Sequence, residues 1–350
     1  MLFHYNAEVI PEWILPIKKF GWVGVDLFFV LSGYLIGLQL LQEMVQKKSI
    51  SLRQFYFKRS IRILPAYFAV LMLYYLFPVL QEGNGLPAFW KFITFTQNIA
   101  LDVETSNTFS HAWSLCIEEQ FYLILPLTIL LVYALKITSY AYGLLIVLFV
   151  MGFIIRYYSW HVYVAPLVET DQPYRYDFLS HLYYPTYCRL DGLLIGFSIA
   201  AFIVFKPVLA NRVMKHGNII LISGLMLLMV AYFVCNKFIA FGTALYGYTL
   251  VSVAAGFLVL AATSPTCALH TLKSRVSFVV ATLSYSLYLI HKQMYHVTKM
   301  IFNTWDVKMS GGQLMIGCVV MAVIAGLALH LIIERPMLFL RDRLLTSNSK

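Results

Sequence analysis

Charge is what this sequence has least of. Asp, Glu, Lys and Arg make up 12% of its 350 residues, against about 25% in a soluble domain. So few charged side chains cannot cover a water-soluble globule of this length, and they exclude a charge-rich disordered chain as well. Cysteine is sparse: Cys116, Cys188, Cys235, Cys267 and Cys318 are scattered, and no pair has metal-ligand spacing. That excludes a zinc ribbon and speaks against a disulfide scaffold, leaving the five as small buried hydrophobes. The nine His form no HxxxH or His/carboxylate ligand pattern, so no metal site is predicted. The opening MLFHYNAEVIPEW lacks the basic and then apolar regions of a signal peptide. The short alternating segments of a β-barrel are missing too.

What is present is apolar surface, at 60% of the residues. The excess must face lipid. Runs of spanning length fall at Trp22–Leu41, Ile63–Leu80, Phe121–Leu135, Ala141–Tyr158, Leu190–Phe205, Ile219–Val234, Gly242–Ala262, Val276–His296 and Gln313–Ile333. The predicted fold is an all-α polytopic membrane protein of nine full transmembrane helices, with the outer remnant of a tenth at the N-terminus. Positions 1–337 form the transmembrane domain and 338–350 a short basic cytoplasmic tail.

The net charge of +10 is unevenly distributed. If the first run crosses from outside to inside, the loops Glu43–Arg62, Lys136, Lys206–Lys215, Lys273–Arg275 and the tail from Glu334 are cytoplasmic. They hold 16 of the 26 Lys and Arg but 3 of the 16 Asp and Glu. This bias puts the C-terminus inside; Lys18, Lys19, Lys299 and Lys308 run against it. The longest outer loops, Gln81–Glu119 and Ser159–Tyr187, are acidic and rich in aromatic and amide groups. They suit either a carbohydrate acceptor or an interfacial aromatic belt.

Ionisable groups inside spans are costly and point to function or to a buried pair. Asp26, Arg156, Arg189, Asp191 and His291 are such groups. In SHAWSLCIEEQFYLILP, Ser110 is placed to cap the following helix, and His111, Ser114 and Glu118 share one face. Glu118 could serve as a base or orient a His, or Glu118 and Glu119 could simply meet Arg189. In SLRQFYFKRSIRILPAYF, the group Arg53, Lys58, Arg59 and Arg62 suits phosphates, with Arg59 and Arg62 on one helix face, although basic anchoring to anionic lipid fits as well. His4, in FHYN, carries no signal by itself.

Taken in order, FHYN, GWVGVDLFFVLSGYLIG, FKRSIRILPAY, HAWSLCIEEQFYLILP, RLDGLLIG, LSYSLYLIHKQ and a final ERP resemble the acyltransferase-3 family over nearly the whole chain. These are integral-membrane O-acyltransferases that decorate cell-surface glycans. The resemblance implies that His4 is the essential residue at the outer end of the first helix, and that Arg59 and Arg62, with Lys58, hold the phosphates of an acyl-CoA donor. It also implies functional roles for Asp26 and for Trp113, Ser114, Glu118, Gln120 and Tyr122. Only three residues precede His4, about 4.5 Å of helix; either the start is assigned too late or the gene is truncated, and a true truncation would leave His4 poorly held. With no appended domain after the last span, the stand-alone members are the better match.

The expected function is transfer of an acyl group, most simply acetyl, from cytoplasmic acyl-CoA to a hydroxyl of an extracytoplasmic saccharide. His4, Glu118 and Asp26 would be catalytic, and Trp113, Ser114, Gln120 and Tyr122 would bind the acceptor. The partners would be the lipid bilayer, acyl-CoA and a surface or lipid-linked saccharide, with no nucleic acid and no metal. The location would be a bacterial cytoplasmic membrane. The alternatives are a glycolipid transporter or flippase-like protein, and an N-terminally truncated inactive member of the family.

Overall fold

A computed structural model describes residues 2–5, 12–271, 274–305 and 310–347. Lys273 and Lys308, which bear on orientation, and the tail end 348–350 lie outside the described residues. In lipid, a helix satisfies its own backbone N–H and C=O groups, and the described residues form helices and turns with no strand. The longer helices are α1 (Val23–Lys47), α2 (Leu52–Leu76), α3 (Trp113–Ala134), α4 (Ala141–Ser159), α5 (Asp191–Phe205), α6 (Pro207–Met214), α7 (Gly217–Val234), α8 (Tyr248–Thr263), α9 (Arg275–Thr304), α10 (Gly311–Leu329) and α11 (Arg335–Ser347). The last runs through position 337, where the sequence places the start of a tail.

Six helical stretches among the described residues are long and apolar enough to cross a membrane, and a seventh is added if α5 and α6, bent by 110°, count as one span. The sequence predicts nine and a remnant. The difference lies in α2 and α9. They are 25 and 30 residues long, but α2 opens on LRQFYFKRSIR and α9 carries Tyr, Ser, His, Lys and Gln through its middle. Length qualifies them; hydropathy does not. Two local expectations are also corrected. Ser110 does not cap α3: it opens a 3-10 turn, Ser110–Ala112, and α3 starts at Trp113 with no side-chain cap. The stretch from Ser159 is not loop at first but continues α4 through a π turn, Trp160–Val164, into helix as far as Glu169. Its apolar run WHVYVAPLV buries Val164 completely.

The chain divides into two compact units. The first, Met1–Gly21 with Ser51–Leu86 and Ser274–Lys350, holds α2, α9, α10 and α11. In it α9 lies along α10, and a π turn, His330–Glu334, joins α10 to α11. Glu334 of the ERP ending is buried there and accepts from Ser286 Oγ (2.7 Å) and His330 Nδ1 (2.9 Å), tying α9 to that junction.

The second unit, Trp22–Ile50 with Pro87–Lys273, is built on the contact of α1 with α5. Both helices carry glycines four apart, Gly33 and Gly37 against Gly192 and Gly196. A Cβ on Gly33 would collide with Leu193 O, and one on Gly196 with Val30 O. The backbones therefore touch without intervening side chains, as in small-residue packing of membrane helices. α8 packs against both, and α7 pairs with α8.

Candidate functional site

His4 sits in the first unit, at the end of a 3-10 turn, Leu2–His4. The next residue holds it in place. Tyr5 is buried, donates from its hydroxyl to Gly311 O (3.1 Å), and meets Tyr295 edge-on at 5.9 Å among Cys318 and Ala322. This anchor fixes His4 from its C-terminal side. Its ring lies 5.3 Å from that of His291 on α9, tilted by 46°. His291 is 2% exposed, and its Nδ1 is 2.8 Å from Tyr288 O. A carbonyl only accepts, so Nδ1 carries the proton and the lone pair of the neutral ring is on Nε2. The sequence marks His291 as an intramembrane ionisable group without giving it a role; no spacing along the chain links positions 4 and 291.

The basic group on α2 belongs to the same unit. Arg62 is exposed, while Lys58 and Arg59 are half-buried. Arg59 and Arg62 share a face one turn apart. Two contacts give their height relative to His4. The Tyr285 hydroxyl donates to Ile63 O (2.7 Å), and Lys292 pairs with Glu82 at 3.2 Å. Residue numbers rise together on both sides, so α2 and α9 run the same way. Tyr285 therefore marks the level of Arg62, and His291, six residues further along α9, marks the level of His4. Tyr285 and His291 are about 9 Å apart along α9.

The remaining sequence-predicted residues are in the second unit. Asp26 does not face a carboxylate-rich site: Arg189 Nη2 donates to its Oδ1 at 2.9 Å, and both side chains are buried. The guanidinium lies 3.8 Å above the Tyr248 ring, 4.9 Å from Tyr183 and 5.5 Å from Trp113, a cation–π cage. Trp113 is 3% exposed and also packs against Phe29 and Tyr184, so it walls this core instead of standing open. Two positions on, Asp191 takes a different partner. Arg156 Nη1 binds Asp191 Oδ2 and Cys188 O, while Nη2 binds Leu245 O (3.2 Å) and Thr249 Oγ1 (3.1 Å). The carboxylate that meets Arg189 is thus Asp26, not Glu118 or Glu119. Removing one partner of a buried pair leaves the other charge uncompensated. Asp26→Asn should therefore lower stability by about 3–5 kcal/mol, read as a lower midpoint in thermal unfolding monitored by size-exclusion chromatography.

On α3, Ser114, Glu118 and Tyr122 are buried, and His111 just before the helix is buried beside them. Gln120 ties the loop before α3 and the turn before α5 to the helix. Its Nε2 donates to Phe95 O (2.7 Å) and Asn98 Oδ1 (3.2 Å), and its Oε1 accepts from Thr186 Oγ1 (2.6 Å). Asn98 in turn donates to Tyr184 O (3.0 Å) and Thr186 Oγ1 (2.8 Å). Phe95, Ala100 and Phe109 in this loop adopt left-handed backbone conformations, which cost non-glycine residues energy; the bond from Gln120 holds Phe95. Further out, Thr105 donates to Asp102 from its backbone and its hydroxyl, keeping that exposed carboxyl below its ordinary range. Among the described residues no group of three His, Cys, Asp or Glu is placed to hold a metal ion, and all five cysteines are free and buried.

Comparison with known proteins agrees with this outline. A family model described as an acyltransferase domain matches residues 2–334. O-acetyltransferase OatA of Staphylococcus aureus (strain NCTC 8325 / PS 47) is 30% identical over 313 residues, covering 83% of this chain and 47% of the relative. Peptidoglycan O-acetyltransferase OatA of Listeria monocytogenes serovar 1/2a is 32% identical over 195 residues, 52% of this chain and 29% of the relative. The chain spans about half the length of the Staphylococcus relative. No solved structure matches it.

Proposed function

The chain belongs to the acyltransferase-3 family, and from that premise we propose that it is a membrane O-acyltransferase moving an acetyl group from acyl-CoA to a saccharide hydroxyl across a bacterial cytoplasmic membrane. The nine-span arrangement, with its C-terminus in the cytoplasm, is part of this reading. So is the choice of a cell-surface glycan as acceptor.

One observation carries the reading: His4 is pinned beside His291 in the unit that carries Arg59 and Arg62. A donor whose phosphates rest on Arg59, Arg62 and Lys58 has its thioester at the far end of a flexible arm, directed along α9 towards His4. Guanidinium forks at the exposed end of α2 suit such phosphates. His4 acts as general base. It takes the proton of the acceptor hydroxyl as the oxygen attacks the thioester carbonyl, and returns that proton to the departing CoA thiolate. The ring of His291, its tautomer set by Tyr288 O, limits how His4 can turn. The resemblance assigns Glu118 and Asp26 to catalysis and Ser114, Gln120, Tyr122 and Trp113 to the acceptor; all six belong to the second unit.

The test is equilibrium binding of acetyl-CoA to the purified full chain. Arg59→Ala with Arg62→Ala should weaken binding by about tenfold or more, since each lost charge-assisted hydrogen bond is worth about 1.5–3 kcal/mol, while His4→Ala should leave it unchanged. A transporter of glycolipid would bind no acetyl-CoA in any of these forms.

A further inference from the structure

One cavity of the second unit is absorbed neither by the acid–base residues nor by the buried ion pairs. It has a volume of about 700 Å³ and runs between α3 and α5, with the inner ends of α1 and α4 as further walls. Its lining is almost wholly apolar. Along α3 it extends from Gln120 to Tyr133, about 20 Å at the helical rise, a little more than one leaflet of a hydrocarbon core about 30 Å thick. The Gln120 end is closed by the hydrogen-bonded group of Gln120, Thr186 and Asn98.

The other end is cationic. Lys48, at the C-terminus of α1, and Lys206, at the C-terminus of α5, both line it. Neither makes an ion pair among the described residues. A second hollow of about 350 Å³ adjoins this end, sharing Phe205 and Lys206 and adding Arg212. The backbone shows at what depth this end lies. At Lys206 the chain turns by 110° from α5 into α6, so α6 leaves the spanning direction. Val208 and Leu209 of α6 are exposed, as befits a short amphipathic helix lying along an interface. The turn puts Lys206 at head-group level, on the side where the Lys and Arg bias puts the cytoplasm.

We propose that this groove is a binding site for one anionic phospholipid of the inner leaflet, an acyl chain lying between α3 and α5 and the phosphate held by Lys48, Lys206 and Arg212. Each feature has a counterpart in that ligand: an apolar trough one leaflet deep, a closed inner end for the methyl terminus, and three cations around a hollow at the mouth. The proposal shares Gln120 with the acceptor assignment and none of the donor residues.

The experiment is native mass spectrometry of the purified, delipidated full chain titrated with phosphatidylglycerol, phosphatidylcholine or palmitoyl-CoA. One phosphatidylglycerol should be retained per chain. A basic residue near an anionic surface contributes about fivefold in affinity, so phosphatidylglycerol should be preferred over phosphatidylcholine by about twentyfold or more. Replacing Lys48, Lys206 and Arg212 by Gln, all on exposed surface, should remove the preference without unfolding the protein. Thr128→Trp, which fills the trough from α3, should reduce retention of both lipids. Equal retention of the two phospholipids by the wild type overturns the proposal, as does a preference untouched by the triple substitution. Tighter binding of palmitoyl-CoA than of phosphatidylglycerol also overturns it, making the groove a donor site instead.

Discussion

His4→Ala abolishes acyl transfer, with a fall of about 10²–10⁴-fold in the rate of acetylation, the range that a positioned acid–base group supplies. The loss is chemical and not structural. His4 is only half-buried, and the position of the chain there is set by Tyr5, whose hydroxyl bond to Gly311 O and packing on Tyr295 do not involve the imidazole. The thermal midpoint and the affinity for acetyl-CoA therefore stay at their wild-type values while turnover disappears. Tyr5→Ala gives the complementary result: stability falls as the Tyr5, Tyr295, Cys318 and Ala322 cluster loses one of its two tyrosines, and turnover falls because His4 is no longer held. Acetyl-CoA turnover, measured as CoA thiol release, reads the first effect; size-exclusion chromatography after heating reads the second.

The second large effect is on the fold. Gly196→Leu costs at least about 3 kcal/mol, at the upper end of overpacking penalties, and a protein with a stability of about 5–15 kcal/mol loses a large part of it. The obstacle to the new side chain is backbone, Val30 O and Tyr34 N of α1, so no rotamer change relieves it and α1 must move away from α5. Separation at this point also strains the two ion pairs at the N-terminal end of α5, Arg189 with Asp26 and Asp191 with Arg156. Gly24→Ala on α1 is the control. Nothing lies within 4 Å of a Cβ there, and replacing a helical glycine is at worst neutral. The predicted outcome is loss of the monodisperse peak for Gly196→Leu and a wild-type profile for Gly24→Ala.

These effects differ in how far the sequence reveals them. The helical class comes from composition, since 60% hydrophobic residues with 12% charge leave no other solution. The face that each helix buries does not. In lipid both faces of a spanning helix are apolar, so periodicity loses its direction. The stretches GVDLFFVLSGYLIG and RLDGLLIG are legible as motifs, yet nothing in either says that their glycines meet each other. The span count differs between the two readings for a related reason. Helices α2 and α9 are polar along the parts that carry Arg59, Arg62 and His291, and a hydropathy criterion passes over them.

The site divides in the same way. Residue types at special positions are visible: Asp26, Arg189, Asp191 and His291 stand out because charge inside a span is costly. Their pairing is invisible. Arg189 and Asp191 lie two apart in sequence and bind Asp26 and Arg156, 163 and 35 positions away. His4 is legible through resemblance alone, and the reason it is ordered despite its place in the chain lies in Tyr5, a residue that no motif singles out.

One measurement tests the central claim, that an acetyl group passes, with His4 as general base, from a donor on one face to an acceptor on the other. The full chain is reconstituted in sealed vesicles with an N-acetylglucosamine oligosaccharide inside, and [14C]acetyl-CoA is added outside. The account predicts labelled oligosaccharide in the lumen for vesicles whose Arg59–Arg62 face is outward, and none above background for His4→Ala. Labelling that persists in His4→Ala, or that occurs only when donor and oligosaccharide share one compartment, would contradict it.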